Sequence, residues 1–346
     1  MLNIGFIGFG KSATRYHIPY LLNRKDTINI KKIFSPVVDD ELVETLGLQN
    51  TIFCEILEEL LDSDEVEMIS ICTPPTTHYE LAMKALVAGK HVLVEKPFCA
   101  TVEEAETLLN YAKEHNLIVM PYQNRRFDSE MIAAREIVLS GELGDIFEVE
   151  FHFDRFRPED ERPLGTVYDG EFYGLGIHLL DKAISLFGIP EKVFYDIRTL
   201  RKIGNPDDTF EMQLFYADKK ITLKVNQLIA SEYPSLRMNS KRGSFIKYGM
   251  DVQEAYLKKG ILPNQDSFAV DQEKIKLKIY DGENFVENDL PAPIGDYGLV
   301  YDSMYNSIKH GHEKLVSDEE TIINMQILAE GIKRGTPFIK NFKDKK

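Results

Sequence analysis

The chain opens on a short apolar run, Leu2–Ile7, and through its first third such runs alternate with amphipathic stretches. Ile28–Phe34, Met68–Cys72, His91–Val94 and Leu117–Met120 have the length and apolar character of buried strands. Between them lie helical patterns. Tyr79, Ala82, Met83 and Leu86 repeat at the spacing of one helix face. Thr77 with Glu80, and Thr101 with Glu104, stand at capping-box spacing ahead of two such segments. Strands alternating with helices predict a parallel sheet joined by right-handed crossovers.

Beyond about residue 121 the period changes to two. Phe147, Val149, Phe151 and Phe153 alternate with Glu148, Glu150 and His152. The same alternation runs through Phe210, Met212, Leu214 and Tyr216, through Ile221, Leu223 and Val225, and through Ile275, Leu277 and Ile279. One apolar and one polar face predict an antiparallel sheet covered on one side only. Ile177–Phe187 and Asp318–Lys333, the latter headed by Ser317 and Glu320, are the helices expected to cover it. The expectation is an α/β domain over residues 1–121, with a doubly wound parallel sheet. An α+β domain over residues 122–346 follows, with an open-faced, mainly antiparallel sheet.

Composition narrows the function. With 41 Lys+Arg against 56 Asp+Glu the net charge is −15, which repels nucleic acid and anionic membrane surfaces. The first residues carry no basic leader or cleavage site, and no apolar run has bilayer-spanning length. Cys54, Cys72 and Cys99 have no metal-ligand spacing and read as buried reduced thiols. A cytoplasmic address, no metal, no nucleic-acid partner and no membrane partner are therefore expected.

The candidate chemistry begins at the first turn. Gly8-Phe9-Gly10-Lys11-Ser12-Ala13 follows a strand and opens a helix, giving G-x-G-x-x-A in its proper context. Gly8 permits the turn, Gly10 admits a pyrophosphate close to the backbone, and Ala13 keeps the helix near the sheet. The helix N-terminus then offers unpaired N–H groups to the phosphates. The second strand ends Ile33-Phe34-Ser35-Pro36, without the carboxylate that NAD sites use to hold the ribose hydroxyls. NADP(H) is favoured and NAD(H) remains open, since Ser35 is followed by no arginine and Asp39–Asp40 lie close by.

Gly89-Lys90-His91-Val92-Leu93-Val94-Glu95-Lys96-Pro97 resembles the GKHVxxEKP signature of the glucose–fructose oxidoreductase/inositol dehydrogenase/MocA family. Cys72-Thr73-Pro74-Pro75-Thr76-Thr77-His78 looks like its TPxxxH segment. Tyr122-Gln123-Asn124-Arg125-Arg126-Phe127-Asp128 and Gly243–Gly249 are similar to a branch that includes NADP-dependent scyllo-inositol dehydrogenases. The resemblance implies a Rossmann domain, a second domain with an open sheet, and assembly as homodimer or homotetramer through that sheet. It also implies hydride transfer between a nicotinamide and a secondary hydroxyl or ketone of a polyol, inositol or sugar-like substrate.

Within that family Lys96 is catalytic. Its own context agrees, because an ammonium at the carboxyl end of a buried strand can stabilise a developing alkoxide. His178 is the candidate general acid/base by its imidazole chemistry; a packed core histidine is the rival reading. Thr73, Pro74, His78, Glu95, Pro97 and Asn124 are candidate cofactor neighbours. Tyr122, Arg125 and Tyr173 are candidate substrate contacts, with a helix-capping role open for His78 and a salt bridge for Arg126. A cis bond is anticipated before Pro97. The family's Asp-x-x-x-His is broken here: Gly174 stands four residues before His178. That departure keeps one alternative open, a dinucleotide-sensing regulator without turnover.

Overall fold

The computed structural model describes residues 1–162, 165–333 and 336–342. Two compact units emerge. The first contains a six-stranded parallel sheet of β1 (Leu2–Ile7), β2 (Ile28–Phe34), β3 (Ile52–Cys54), β4 (Met68–Ile71), β5 (His91–Val94) and β6 (Val119–Pro121). Its order is β3-β2-β1-β4-β5-β6. Every residue of β4 is buried, as are the last three of β5, because helices cover both faces and leave no solvent side for polar residues. The helix His78–Val87 buries Ala82, Ala85 and Leu86, and Val102–Glu114 buries Ala105, Leu108, Leu109 and Ala112. Thr101 and Glu104 form the anticipated capping box. The order reverses between β1 and β4, and a crevice at the carboxyl ends of such a sheet is where ligands bind.

The second unit holds a nine-stranded sheet of β7 (Ile146–His152), β8 (Lys192–Arg198), β9 (Thr209–Phe215), β10 (Lys220–Asn226), β11 (Leu236–Ser240), β12 (Gly243–Lys247), β13 (Ile275–Tyr280), β14 (Phe285–Leu290) and β15 (Phe338–Asn341). Its order is β14-β13-β12-β11-β7-β10-β9-β8-β15. Only the β7–β10 pair is parallel. Phe210, Met212, Leu214, Ile221, Leu223 and Val225 are buried, while Glu211, Gln213, Thr222 and Lys224 between them stay half-exposed. The helix Glu171–Phe187 lies on the apolar face, where Gly176 meets Phe210. Tyr195 of β8 donates to the carbonyl of Ile327 at 3.0 Å, which brings the end of the helix Asp318–Lys333 onto the same sheet. Ser317 and Glu320 exchange the anticipated capping bonds.

Beside the expected division at residue 121, the compact units interleave along the chain: the first comprises Met1–Phe127, Val252–Ala269 and Asp296–Met325, and the second the other described segments. The reason is packing, since Tyr297, Val300, Tyr301 and Met304 complete the core that also holds Leu2, Ile4, Phe6 and Tyr20. Some local expectations are corrected. Phe147 is out of phase with its strand and exposed, because the β7–β11 register slips between Asn239 and Ser240. Thr77 makes no capping box with Glu80. Pro75–Thr77 already turn as a 3-10 segment, and the Thr77 hydroxyl donates back to the carbonyl of Pro74 at 2.8 Å. All three cysteines are buried and outside any disulfide. No helix among the described residues is long and apolar enough to cross a membrane.

Candidate functional site

The glycine turn has the shape its sequence requires. Gly8 adopts φ +99°, in the left-handed region, and a Cβ there would stand 3.2 Å from the carbonyl oxygen of Cys72. Gly10 is different: a Cβ on it would meet nothing within 4 Å, so the space above the turn is open to a ligand's approach. Ala13 is fully buried against the sheet, and Phe9 packs edge-on to Phe53 at 5.1 Å. Residues Ala13–His17 then wind as a wide, π-type turn.

From this turn a network reaches the end of β5. The Ser12 hydroxyl donates to Glu95 Oε1, and His17 Nε2 lies 3.0 Å from the same oxygen. Glu95 Oε2 accepts the backbone N–H of Lys96 at 2.9 Å. Burial raises the Glu95 carboxyl, but the hydrogen bond and charge of His17, the Lys96 ammonium and the Ser12 hydroxyl outweigh it and leave the group at about 2. Glu95 is therefore a carboxylate at any working pH. Lys96 is shifted the other way. Burial lowers its ammonium, Glu95 restores part of the shift, and the Arg125 guanidinium lowers it further. The Lys96–Pro97 peptide is cis, as anticipated.

His78 is fully buried with both ring nitrogens facing backbone carbonyls, Pro97 at 2.8 Å and Thr73 at 2.9 Å. It lies between the loops that follow β4 and β5. Thr73 shares its hydroxyl with Thr77 at 2.7 Å, beside the exposed Pro74. Ser35 spends its hydroxyl on its own turn, donating to Val37 O at 2.6 Å. A cleft of about 580 Å³ beside the glycine turn is lined by Gly10, Lys11, Arg15, Ser35 and Asp39. Asp39 is engaged there, its Oδ1 capping the helix Asp40–Thr45 through Glu41 and Leu42.

Two candidate substrate contacts are redirected. Tyr122 is buried, stacks on His17 with centroids 3.8 Å apart, and donates to Tyr16 O at 2.5 Å, which makes it a core residue. Arg125 pairs with Glu254 at 3.1 Å, and Tyr16 and Lys258 meet the same carboxylate. Arg126 pairs with Glu320 at 3.3 Å within the same unit. Asn124 is buried in the short turn Asn124–Phe127. The sequence reading did not mark His17, Arg15 or Glu254. His17 and Arg15 lie outside the glycine motif, and Glu254 reaches the site from a segment far along the chain.

On the second unit, His178 and Tyr173 are buried in Glu171–Phe187, and Tyr173 meets Tyr168 edge-on at 5.0 Å. A Cβ on Gly174 would meet nothing within 4 Å. Asp169 does not stand in for the missing aspartate, because its carboxylate caps Thr166 at 2.7 Å. Asp181 is buried. Among the described residues, no group of three or more His, Cys, Asp or Glu could hold a metal ion.

Two family models match the chain: the oxidoreductase family's NAD-binding Rossmann fold over residues 2–123, and the same family's C-terminal alpha/beta domain over residues 135–334. The oxidoreductase YhhX of Escherichia coli K12 is 46% identical over 97% of this chain and 98% of its own length. The scyllo-inositol 2-dehydrogenase (NADP(+)) IolW of Bacillus subtilis 168 is 31% identical over 94% of this chain and 92% of its own. The crystal structure of an oxidoreductase from Bacillus cereus superimposes with a TM-score of 0.94 at 44% identity, covering the whole of both chains.

Proposed function

The chain belongs to the Gfo/Idh/MocA oxidoreductase family, and from that premise we propose that it moves hydride between NADP(H) and a secondary hydroxyl or ketone of a polyol, inositol or sugar-like substrate. The observation that carries this reading is the bond from Ser12, in the glycine turn, to Glu95, the residue before Lys96. It couples the phosphate cradle to the lysine proposed for the chemistry.

The dinucleotide, when bound, supplies the hydride acceptor or donor. Gly8, Gly10 and the helix start at Ser12 would hold its phosphates, and the open space above Gly10 fits that role. Lys96, its ammonium destabilised by burial, hydrogen-bonds the reacting oxygen and steadies the negative charge that develops there. Glu95 stays ionised and orients the lysine. His178 exchanges the hydroxyl proton, as imidazole chemistry allows.

Preference for NADP(H) is supported by Lys11 and Arg15 lining the cleft with Ser35, and by the engagement of Asp39 in its helix cap. The NADP(+) in the name of IolW points the same way. We also propose that the chain pairs with a second copy through the polar face of its large sheet, whose edges would otherwise stay unprotected.

The reading is tested with a panel of inositols and aldoses and either dinucleotide, followed by nicotinamide absorbance. Turnover that collapses in Lys96→Ala while dinucleotide affinity persists supports it. Dinucleotide binding without turnover on any substrate would return the protein to a sensing role.

A further inference from the structure

Behind Lys96 runs a line of buried side chains that neither the glycine turn nor the lysine motif includes. Ser70 Oγ lies 3.0 Å from Tyr301 Oη, Tyr301 Oη lies 2.8 Å from His17 Nδ1, and His17 Nε2 lies 3.0 Å from Glu95 Oε1. Ser70, Tyr301 and His17 are all fully buried. The His17 ring is clamped, stacked on Tyr122 and edge-on to Phe6 with centroids 6.2 Å apart. An imidazole so enclosed has one orientation, and a fully paired buried network holds its members in place.

The polarity of the line follows from its end. Glu95 is ionised and only accepts, so Nε2 of His17 carries a hydrogen and donates to it. Nδ1 is then matched to the Tyr301 hydroxyl, and that hydroxyl to Ser70. Glu95 Oε1 thus receives His17 and Ser12, while Oε2 receives the backbone N–H of Lys96. Without the imidazole, the carboxylate keeps a serine and its own chain neighbour, and its torsions are no longer fixed from behind.

We propose that His17, held in register by Tyr301, is a positioning residue that fixes the carboxylate of Glu95 and through it the placement of Lys96. The inference rests on the role proposed for Lys96. The groups facing Glu95 are His17, Lys96, Ser12, Cys72, Tyr122 and Tyr301; those facing Lys96 are Glu95, Arg125 and Glu254.

The test uses the full chain as His17→Gln and, because a core histidine can be needed for folding, as Tyr301→Phe, which keeps the ring. One readout needs no turnover. Carbon NMR of carboxyl-labelled glutamate, with Glu95→Gln for assignment, follows the Glu95 titration in the absence of dinucleotide. In the wild type that resonance stays in its ionised form down to about pH 4, below the ordinary glutamate value; in both variants it titrates at higher pH. The second readout is steady-state kinetics, where kcat falls roughly tenfold to a hundredfold in His17→Gln, as for a misplaced reacting group, and less in Tyr301→Phe. KM for the dinucleotide stays close to wild type, and the pH profile of kcat shifts. A Glu95 titration unchanged in both variants would overturn the positioning role even if turnover is found. A displaced Glu95 titration with no turnover in the wild type would uphold the contact and reject the reaction.

Discussion

The imidazole of His78 joins two loops of the dinucleotide-binding unit: its Nδ1 sits 2.8 Å from the carbonyl oxygen of Pro97, and its Nε2 sits 2.9 Å from that of Thr73. The ring is wholly buried at the head of its helix. In His78→Ala the carbonyl that accepts from the ring N–H loses its partner and a cavity opens. The expected cost is roughly 2–4 kcal/mol of stability, read from urea denaturation. Dinucleotide affinity should fall with it, because the loops after β4 and β5 lose their common tie. An unchanged denaturation midpoint would show that the ring is not a tie at all.

Glu95 gives a prediction in acid. Its folded value of about 2 lies below the ordinary 4.5, so the carboxylate stabilises the fold fully above that ordinary value. The contribution drains away as pH falls through the interval towards 2. Its full size is roughly 3 kcal/mol. Glu95→Gln should therefore be less stable than wild type at neutral pH, and its stability should fall less steeply between about pH 5 and pH 3. Parallel acid-denaturation curves for the two proteins would contradict the assignment.

Asp207 behaves in the opposite sense. Burial lifts its carboxyl to about 7 against the pull of the Phe172 N–H, which it accepts at 2.7 Å, and neighbouring Glu171 adds to the rise. A raised acid favours the fold while protonated. Stability is undiminished below the ordinary carboxylate range and falls as pH climbs to about 7. Asp207→Asn keeps an acceptor for Phe172 and removes the ionisation. It should be more stable than wild type at pH 8 by roughly 4 kcal/mol, with the gap closing near pH 4. Thermal melts at the two pH values decide the matter.

How much of this was legible beforehand depends on how local the cause was. β1, β2 and β5 begin and end where their apolar runs do, since buried parallel strands carry that signal in themselves. β3 escaped because three residues are too few to show a period. That the segments Val252–Ala269 and Asp296–Met325 pack with the N-terminal sheet was not legible, because such grouping depends on distant packing. Local motifs named Gly8, Gly10, Ser12, Glu95 and Lys96. Tyr122 sits inside such a motif yet serves the core, and His17 sits outside every motif yet meets Glu95. Motifs report which backbone positions a ligand needs; they are silent on which buried polar groups steady those positions.

Cofactor choice should answer to Arg15 and Lys11, which line the cleft beside Ser35. A 2′-phosphate meeting two cations gains from each, whereas the free ribose hydroxyls of NAD gain little. Arg15→Ala is expected to weaken NADPH binding about tenfold while leaving NADH within about twofold, a difference of roughly 1.4 kcal/mol. Fluorescence titration with both reduced dinucleotides measures it. Equal losses for the two would place Arg15 away from the 2′ position.

Gly174 offers the last prediction, because its cost and its purpose separate. It lies in the first turns of Glu171–Phe187 with open space where a side chain would project. A glycine inside a helix costs about 0.5–1 kcal/mol relative to alanine. Gly174→Ala should thus raise the melting temperature without strain. Gly174→Asp should be tolerated as well, since a carboxylate near a helix N-terminus is favoured by about 0.3–1 kcal/mol. It also stands one turn before His178, close enough to orient an imidazole on the same face. If the glycine serves to admit a bulkier substrate, Gly174→Asp will trade activity on that substrate for activity on simple inositols. If both variants are stable and the panel of turnover rates is unmoved, residue 174 does not face the substrate.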